Sequence, residues 1–190
     1  MHQRVFTVIA VVGVLLAATG AEVRAGGQLS DAERSRAQLF ERIQREVLGY
    51  QHYTVFDSVS VQIADGAVRL IGRVTIEYKK DDLEKRVKGV KGVTRVENQL
   101  EVLPASKSDD ELRVRIADAI YSHPTFQPYA ARANPPIHII VERGHVTLEG
   151  VVQDETEKLL AASLAGSRGA LRVTSELQTV REAAAQLGGR

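Results

Sequence analysis

Four of the five histidines, those beyond the N-terminal His2, offer the nearest thing to reactive chemistry in this chain: His52, His123, His138 and His145. Imidazole titrates close to neutral pH and ligates metals, so its placement is read first. His138 and His145 flank the Arg143-Gly144 turn, where a hairpin could bring them face to face around a metal ion. Such a site wants further Asp, Glu or His ligands, and Glu142 is the one carboxylate nearby. The matching positions of an earlier, similar segment hold Ser60 and Ala67, so that fold does not require imidazoles, and the pair reads as solvated strand residues. His52 and His123 read as polar loop residues. No nucleophile is set up either: the chain lacks G-x-S-x-G, a G-x-x-x-x-G-K phosphate loop and H-E-x-x-H. It also has no cysteine, which removes thiolate nucleophiles, thiolate metal sites, disulfides and a lipid-modified N-terminal cysteine. The acidic pairs Asp81-Asp82 and Asp154-Glu155 are expected at helix starts, where they complement the helix dipole. No enzymatic activity, cofactor or metal is expected.

Two clusters suit binding better than catalysis. Lys79, Lys80, Lys85, Arg86, Lys88, Lys91 and Arg95 crowd into 17 residues, interleaved with Asp81, Asp82 and Glu84. Beside an anionic lipid surface each such cation contributes about 1 kcal/mol, within a Debye length. The same run also fits a solvated helix laced by Asp81–Lys85 and Asp82–Arg86 pairs four residues apart. The second cluster is aromatic. Tyr50, Tyr53 and Phe56, and again Tyr121, Phe126 and Tyr129, lie between the first helix and first strand of two similar segments. An apolar ring with a wet hydroxyl suits a membrane interface. Around the second set, Pro124, Pro128, Pro135 and Pro136 suggest a stiff, non-helical loop of about a dozen residues. Either that loop touches a membrane, or Phe56 and Phe126 plug the core and the tyrosines shield a strand edge.

Charge and composition bound the partners. The chain has 190 residues, 25 Lys+Arg against 24 Asp+Glu, 44% hydrophobic and 26% charged, which is globular and long enough for one or two domains. Near-neutrality argues against nucleic acid held by bulk charge. Met1–Arg4 carries one positive charge, and Val5–Ala18 is apolar or small except at Thr7 and Gly13. That run is shorter than the about 20 residues a spanning helix needs. Val23 and Ala25 suit the −3 and −1 positions of a signal peptidase site, so residues 1–25 read as a secretory signal cut after Ala25, with an uncleaved anchor as the alternative. Cleavage removes Arg4, Arg24 and Glu22 and leaves 23 basic against 23 acidic residues. The expected location is the periplasm, with no lipid anchor.

The elements that must position these residues come in duplicate. Val59–Ile63, Asp65-Gly66 and Val68–Gly72 recur as Ile137–Val141, Arg143-Gly144 and Val146–Gly150 at an offset of 78, and Gly89, Gly92, Val96 and Leu100 recur at an offset of 77. A period this long marks a duplicated domain, not a solenoid. In the first copy, Ala37, Phe40, Ile43 (or Gln44) and Val47 give residues 31–48 a helical stripe, preceded by a Ser30…Glu33 capping box. Alternating Val59, Val61, Ile63 and Val68, Leu70 read as a hairpin across Asp65-Gly66. A helix around residues 82–87, ended by Gly89, and a strand through Val96, Leu100 and Val102 complete the unit. The second copy repeats it with a helix at 109–121, strands at 137–142 and 145–152, a helix at 154–165 and a strand at 170–180. The fold class is α+β: two tandem α-β-β-α-β domains, each a three-stranded sheet packed on two helices, at 31–104 and 108–180, with 181–190 as a tail. Periodicity leaves the pairing of each last strand open.

Val68-Arg-Leu-Ile-Gly-Arg-Val74, followed by a helix and Gly89-Val-Lys-Gly-Val-Thr-Arg-Val-Glu-Asn98-Gln-Leu100, resembles the BON domain, whose hallmark is V-x-L-x-G-x-V and then G-V-x-x-V-x-N-x-L. The second copy departs at Ala170 and at Ser175, which replaces the Asn. The resemblance implies a non-catalytic module of the bacterial envelope, associated with phospholipid, envelope integrity and osmotic stress. The expected partner is an anionic phospholipid surface met through Tyr121, Phe126, Tyr129 and the Lys79–Lys91 cations; the alternative is another envelope protein.

Overall fold

The structure, a computed structural model, describes residues 31–188 and a two-residue strand, Ala10–Val11, that runs antiparallel beside Val61 and Ser60. The remainder of the segment expected to be a secretory signal, the expected cleavage site after Ala25 and the expected Ser30 cap lie outside the described residues.

The first domain begins with α1 (Asp31–Leu48). Its buried stripe is Leu39, Ile43 and Val47, not the expected Ala37–Phe40–Ile43–Val47, since Ala37 is exposed and Phe40 only half-buried. The four-residue spacing 39/43/47 continues into buried Tyr50, and that stripe faces the sheet. β1 (Ser58–Ala64) and β2 (Ala67–Val74) form the antiparallel hairpin. Asp65 and Gly66 both take positive φ, 48° and 78°, the signature of a type I′ turn whose twist matches the strands. α2 (Glu77–Lys88) then crosses over and β3 (Arg95–Val102) pairs parallel with β2, so the strand order is β1-β2-β3 with the Ala10–Val11 strand on the outer side of β1.

The second domain repeats this with α3 (Lys107–Tyr121), β4 (Ile137–Glu142), β5 (His145–Val152), α5 (Glu155–Gly166) and β6 (Arg172–Thr179). Arg143 and Gly144 form its type I′ turn at φ 51° and 75°, and β6 is parallel to β5. Two features differ from expectation. The proline-rich segment is helical: Pro124–Phe126 is a 3-10 turn and α4 (Gln127–Ala130) follows, because Pro124 and Pro128 sit in first turns, where no N–H is needed. The segment expected as a tail forms α6 (Val180–Gly188), started by a capping box in which Thr179 accepts from the Glu182 amide and Glu182 accepts from the Thr179 amide. It folds back on β5 and β6 and buries Ala183.

Each domain keeps its own core. One gathers Ile43, Val47, Val61, Leu70, Leu83 and Leu100, the other Ile116, Ile120, Phe126, Ile139, Leu148 and Leu177. The glycine of each V-x-L-x-G motif is dictated by the edge strand. Gly72 (φ 139°) and Gly150 (φ 128°) lie against the carbonyls of Ser58 and Pro136, and a Cβ on either would overlap that oxygen.

Candidate binding surfaces

The basic helix disperses its charge once folded. Lys79 is 4% exposed and forms a buried ion pair with Asp57 at 2.7 Å, so it offers nothing to a surface. Asp57 is saturated: it also accepts from the Thr75 amide and hydroxyl and from the Thr54 amide and hydroxyl. Asp81 and Asp82 are not at the helix start, because α2 begins a turn earlier at Glu77 behind Ile76, whose side chain makes no capping bond. Asp82 accepts from the Tyr50 hydroxyl, and Arg86 reaches Glu46 on α1 instead of Asp82, at 3.0 Å, while stacking over Tyr50. Lys88 pairs with Glu84. Of the expected cations, Lys85, Lys91 and the Glu84-paired Lys88 are exposed and Lys80 is half-exposed. An apolar stripe that must face the sheet buries residues 79, 83 and 87 together, and the fourth-residue rhythm carries one lysine inside.

The aromatic set is structural. Phe126 is fully buried and Tyr129 is 9% exposed, both in the domain 2 core. The Tyr121 hydroxyl is half-buried and donates to the Ile137 carbonyl at 2.5 Å. Tyr129 donates to Glu157 at 2.6 Å and accepts from the Gln153 amide; burial first, and the Glu157 carboxylate second, push its hydroxyl well above the ordinary tyrosine range, so it stays a donor. Phe126 and Tyr129 thus bury their rings in the core, and Tyr121 is half-buried. The exposed residues of that segment include Pro124, Thr125, Gln127, Pro128 and Ala130–Ala133, with Arg132 over the Tyr129 ring.

The histidines do not meet. Strand register puts His138 opposite Glu149 and His145 opposite Glu142. His145 is exposed as expected, but His138 is buried at 4%, against Tyr53 of domain 1. His123 accepts from the Thr125 amide, and His52 is exposed beside Tyr50 and Tyr78.

A basic surface that sequence reading missed lies at the hairpin end of domain 2. An open cavity of about 470 Å³ is lined by Leu112, Leu171, Arg115 and Arg143, with Ser106 and Asp109 at the start of α3. Asp109 is buried and receives the amides of Arg143 (2.7 Å) and Gly144 (2.9 Å), so the turn's own N–H groups are already satisfied. Anion binding there falls to the guanidinium groups. Arg168 and Arg172 flank the lining residues Gly169 and Leu171 and are exposed. Arg143 is 80% exposed, its nearest carboxylate, Glu142, 4.0 Å away. Among these arginines stands Leu171, 77% exposed, its chain fixed by a 2.9 Å bond from its amide to the Gly144 carbonyl. In domain 1 the same scaffold carries Asp65 and Thr94 where domain 2 has Arg143 and Leu171, and Thr94 bonds Gly66 in the same way at 2.8 Å. That asymmetry between aligned copies was the signal available in the sequence.

Among the described residues no group of His, Cys, Asp and Glu could hold a metal ion, and no helix is long and apolar enough to cross a membrane. No curated protein matches the chain. Solved structures similar to it include the structural protein CdsD of the type III secretion system of Chlamydia trachomatis, at 14% identity over 80% of this chain and 98% of that one (TM-score 0.29), and the C-terminal domain of CdsD, at 15% identity over 86% and 71% (TM-score 0.32). The BON domain matches twice, over residues 31–104 and 108–181, and the chain therefore belongs to the BON domain family.

Proposed function

We propose that this is a non-catalytic envelope protein that rests peripherally on anionic phospholipid through the hairpin end of domain 2, with the exposed Lys85, Lys88 and Lys91 and the half-exposed Lys80 of domain 1 as an auxiliary surface. BON domains are a binding family associated with phospholipid and the envelope, and export by the N-terminal segment would place the chain in the periplasm. The observation that carries the reading is Leu171, a large apolar side chain at 77% exposure that shares its cavity with Arg115 and Arg143, with the exposed Arg168 and Arg172 close by in sequence. An apolar anchor beside exposed cations gains from both insertion and anionic headgroups, each cation adding about 1 kcal/mol. With no lipidated cysteine, attachment is weak, reversible and salt-sensitive.

Co-sedimentation with phosphatidylglycerol and phosphatidylcholine vesicles tests this. Binding to the former at low salt, lost in 0.5 M salt (an ionic strength with a Debye length of about 4 Å), is expected. Combined Arg168→Glu and Arg172→Glu, or Leu171→Asp, should abolish it, and Lys85→Glu with Lys91→Glu should weaken it less. Equal sedimentation with neutral vesicles, or none with anionic ones, sinks the reading and favours a protein partner in the envelope.

A further inference from the structure

We propose that the seam between the two domains is an acid-sensitive latch, closed while His138 is uncharged and released when its imidazole takes up a proton.

Alternation on β4 sends Ile137, Ile139 and Val141 into the core of domain 2 and leaves His138 on the opposite face of the sheet. That face meets the segment of domain 1 between Tyr53 and Ser58. The Ile139 amide donates to the Val55 carbonyl at 2.7 Å, as a strand edge would to a neighbour. Phe56 packs against the domain 2 core, and the Ser58 hydroxyl donates to Glu149. His138 sits within this seam, its ring centroid 5.6 Å from that of Tyr53, and its Nδ1 is buried without a hydrogen-bond partner.

A proton on that nitrogen finds no acceptor, and the charge lies in a site that excludes water. The ionisable groups facing the ring are already committed. On the domain 1 segment, Asp57 is saturated by Lys79, Thr75 and Thr54, and Tyr53 is kept un-ionised by burial. On β5, Glu149 stands directly opposite and accepts from Ser58. From α2 the neighbouring charge is Lys79, a cation locked to Asp57, which offers no attraction to a second cation. Burial holds the His138 ring below the usual histidine range, outweighing the Asp57 backbone, the Asp57 charge and the Thr54 backbone, all of which favour the protonated ring.

The sign follows. The closed seam binds fewer protons than the open one, so closure is at full strength above the ordinary histidine value near 6.5 and is lost as pH falls through the lower value of the closed state. In that window the opening constant rises by at most about tenfold per pH unit.

The chain has no cysteine, so Lys85→Cys and Ser163→Cys, both at exposed helix positions, can carry a spin-label pair, one on each domain. At pH 7.5 the interdomain distance should be narrow, and at pH 5.0 it should broaden and lengthen while far-UV circular dichroism is unchanged. The Ile139 amide should lose exchange protection over the same range. His138→Leu should hold the narrow distribution at both pH values; His138→Gln, which tests the point if the leucine variant does not fold, should be equally indifferent to pH. An unchanged distance at pH 5.0 overturns the latch. So does release that persists in both variants, or release accompanied by loss of circular dichroism.

Discussion

The two domains share a backbone and differ in what fills it. Where the segment before the first strand meets the start of the second helix, domain 1 buries an ion pair, Asp57–Lys79, with Thr54 and Thr75 saturating the carboxylate. At the same place in domain 2 the lysine is replaced by Glu157, which accepts from the Tyr129 hydroxyl and the Gln153 amide. Two different polar plugs close the same gap. The I′ turns, the edge-facing glycines and the parallel last strand are alike in both copies because backbone geometry demands them. Side chains that satisfy polar groups, or face outward, are free to be exchanged as sets. The hairpin ends show this most clearly: the Gly66 and Gly144 carbonyls bind the next strand identically, but one end offers threonine and aspartate and the other leucine and arginine.

The largest effect should fall where the copies are identical. Gly72→Ala and Gly150→Ala each force a side chain to φ values that L-residues avoid, costing about 1–3 kcal/mol, and push a methyl group into a strand carbonyl, costing about 1–3 kcal/mol more. Exchange mass spectrometry should show protection lost in the domain carrying the substitution, to a similar degree in the two cases. If one alanine is tolerated and the other is not, the backbones are less alike than their registers indicate.

Next in size is the difference between the plugs. Asp57→Ala leaves the Lys79 cation buried without its partner and should destabilise domain 1 by about 3–5 kcal/mol. Glu157→Gln leaves a neutral acceptor for Tyr129 and Gln153 and should cost about 1 kcal/mol. Removing both charges, as Asp57→Ala with Lys79→Met, should recover most of the larger loss. Urea midpoints, followed by amides of each domain, provide the measurement. A double variant no better than Asp57→Ala would mean that packing, not charge, makes the first plug.

These contrasts mark what could be read from residue order. Alternation and the two-residue turns are local, so the hairpins stood out, and the repeat then supplied the architecture. The strip of α1 that faces inward could not be chosen so surely, since Ala37, Phe40 and Leu39 all fit a helical stripe and the approach of the sheet selects Leu39. Lys79 is a cation by type and a core residue by position, and its buried partner lies 22 residues away. The aromatics signalled an interface because rings look the same whether they cover a core or a membrane, and only packing puts Phe126 and Tyr129 inside. One helix was legible and passed over: Thr179-Val-Arg-Glu182 is a capping box that starts α6. The candidate surface at Leu171 needed the alignment of the copies plus a fold that sets Arg115 beside Arg143.

The smallest effect concerns the motif asparagine. Asn98 donates to the Lys80 carbonyl at 3.0 Å and to Glu84 at 2.9 Å, and accepts from the Leu100 amide at 3.1 Å, fastening α2 to β3. In domain 2 the corresponding Ser175 is exposed, the place of Glu84 is taken by Ala162, and Lys158 bridges instead to Glu155 and to Glu182 on α6. The second copy thus replaces a helix-to-sheet fastening with a helix-to-helix one, which its added α6 makes available. Asn98→Ser should cost domain 1 about 1–2 kcal/mol, whereas Ser175→Asn, lacking a carboxylate to meet, should stay within about 0.5 kcal/mol of wild type. The pH dependence separates this bond from general packing. Lys88 first, and Asn98 second, hold the Glu84 carboxyl below its ordinary value. Their contribution is complete above the ordinary glutamate range and fades as pH falls through that lowered value. The Asn98→Ser deficit in urea midpoint should therefore narrow as pH drops from 7 towards 3, and a deficit that stays constant would assign the asparagine a purely backbone role.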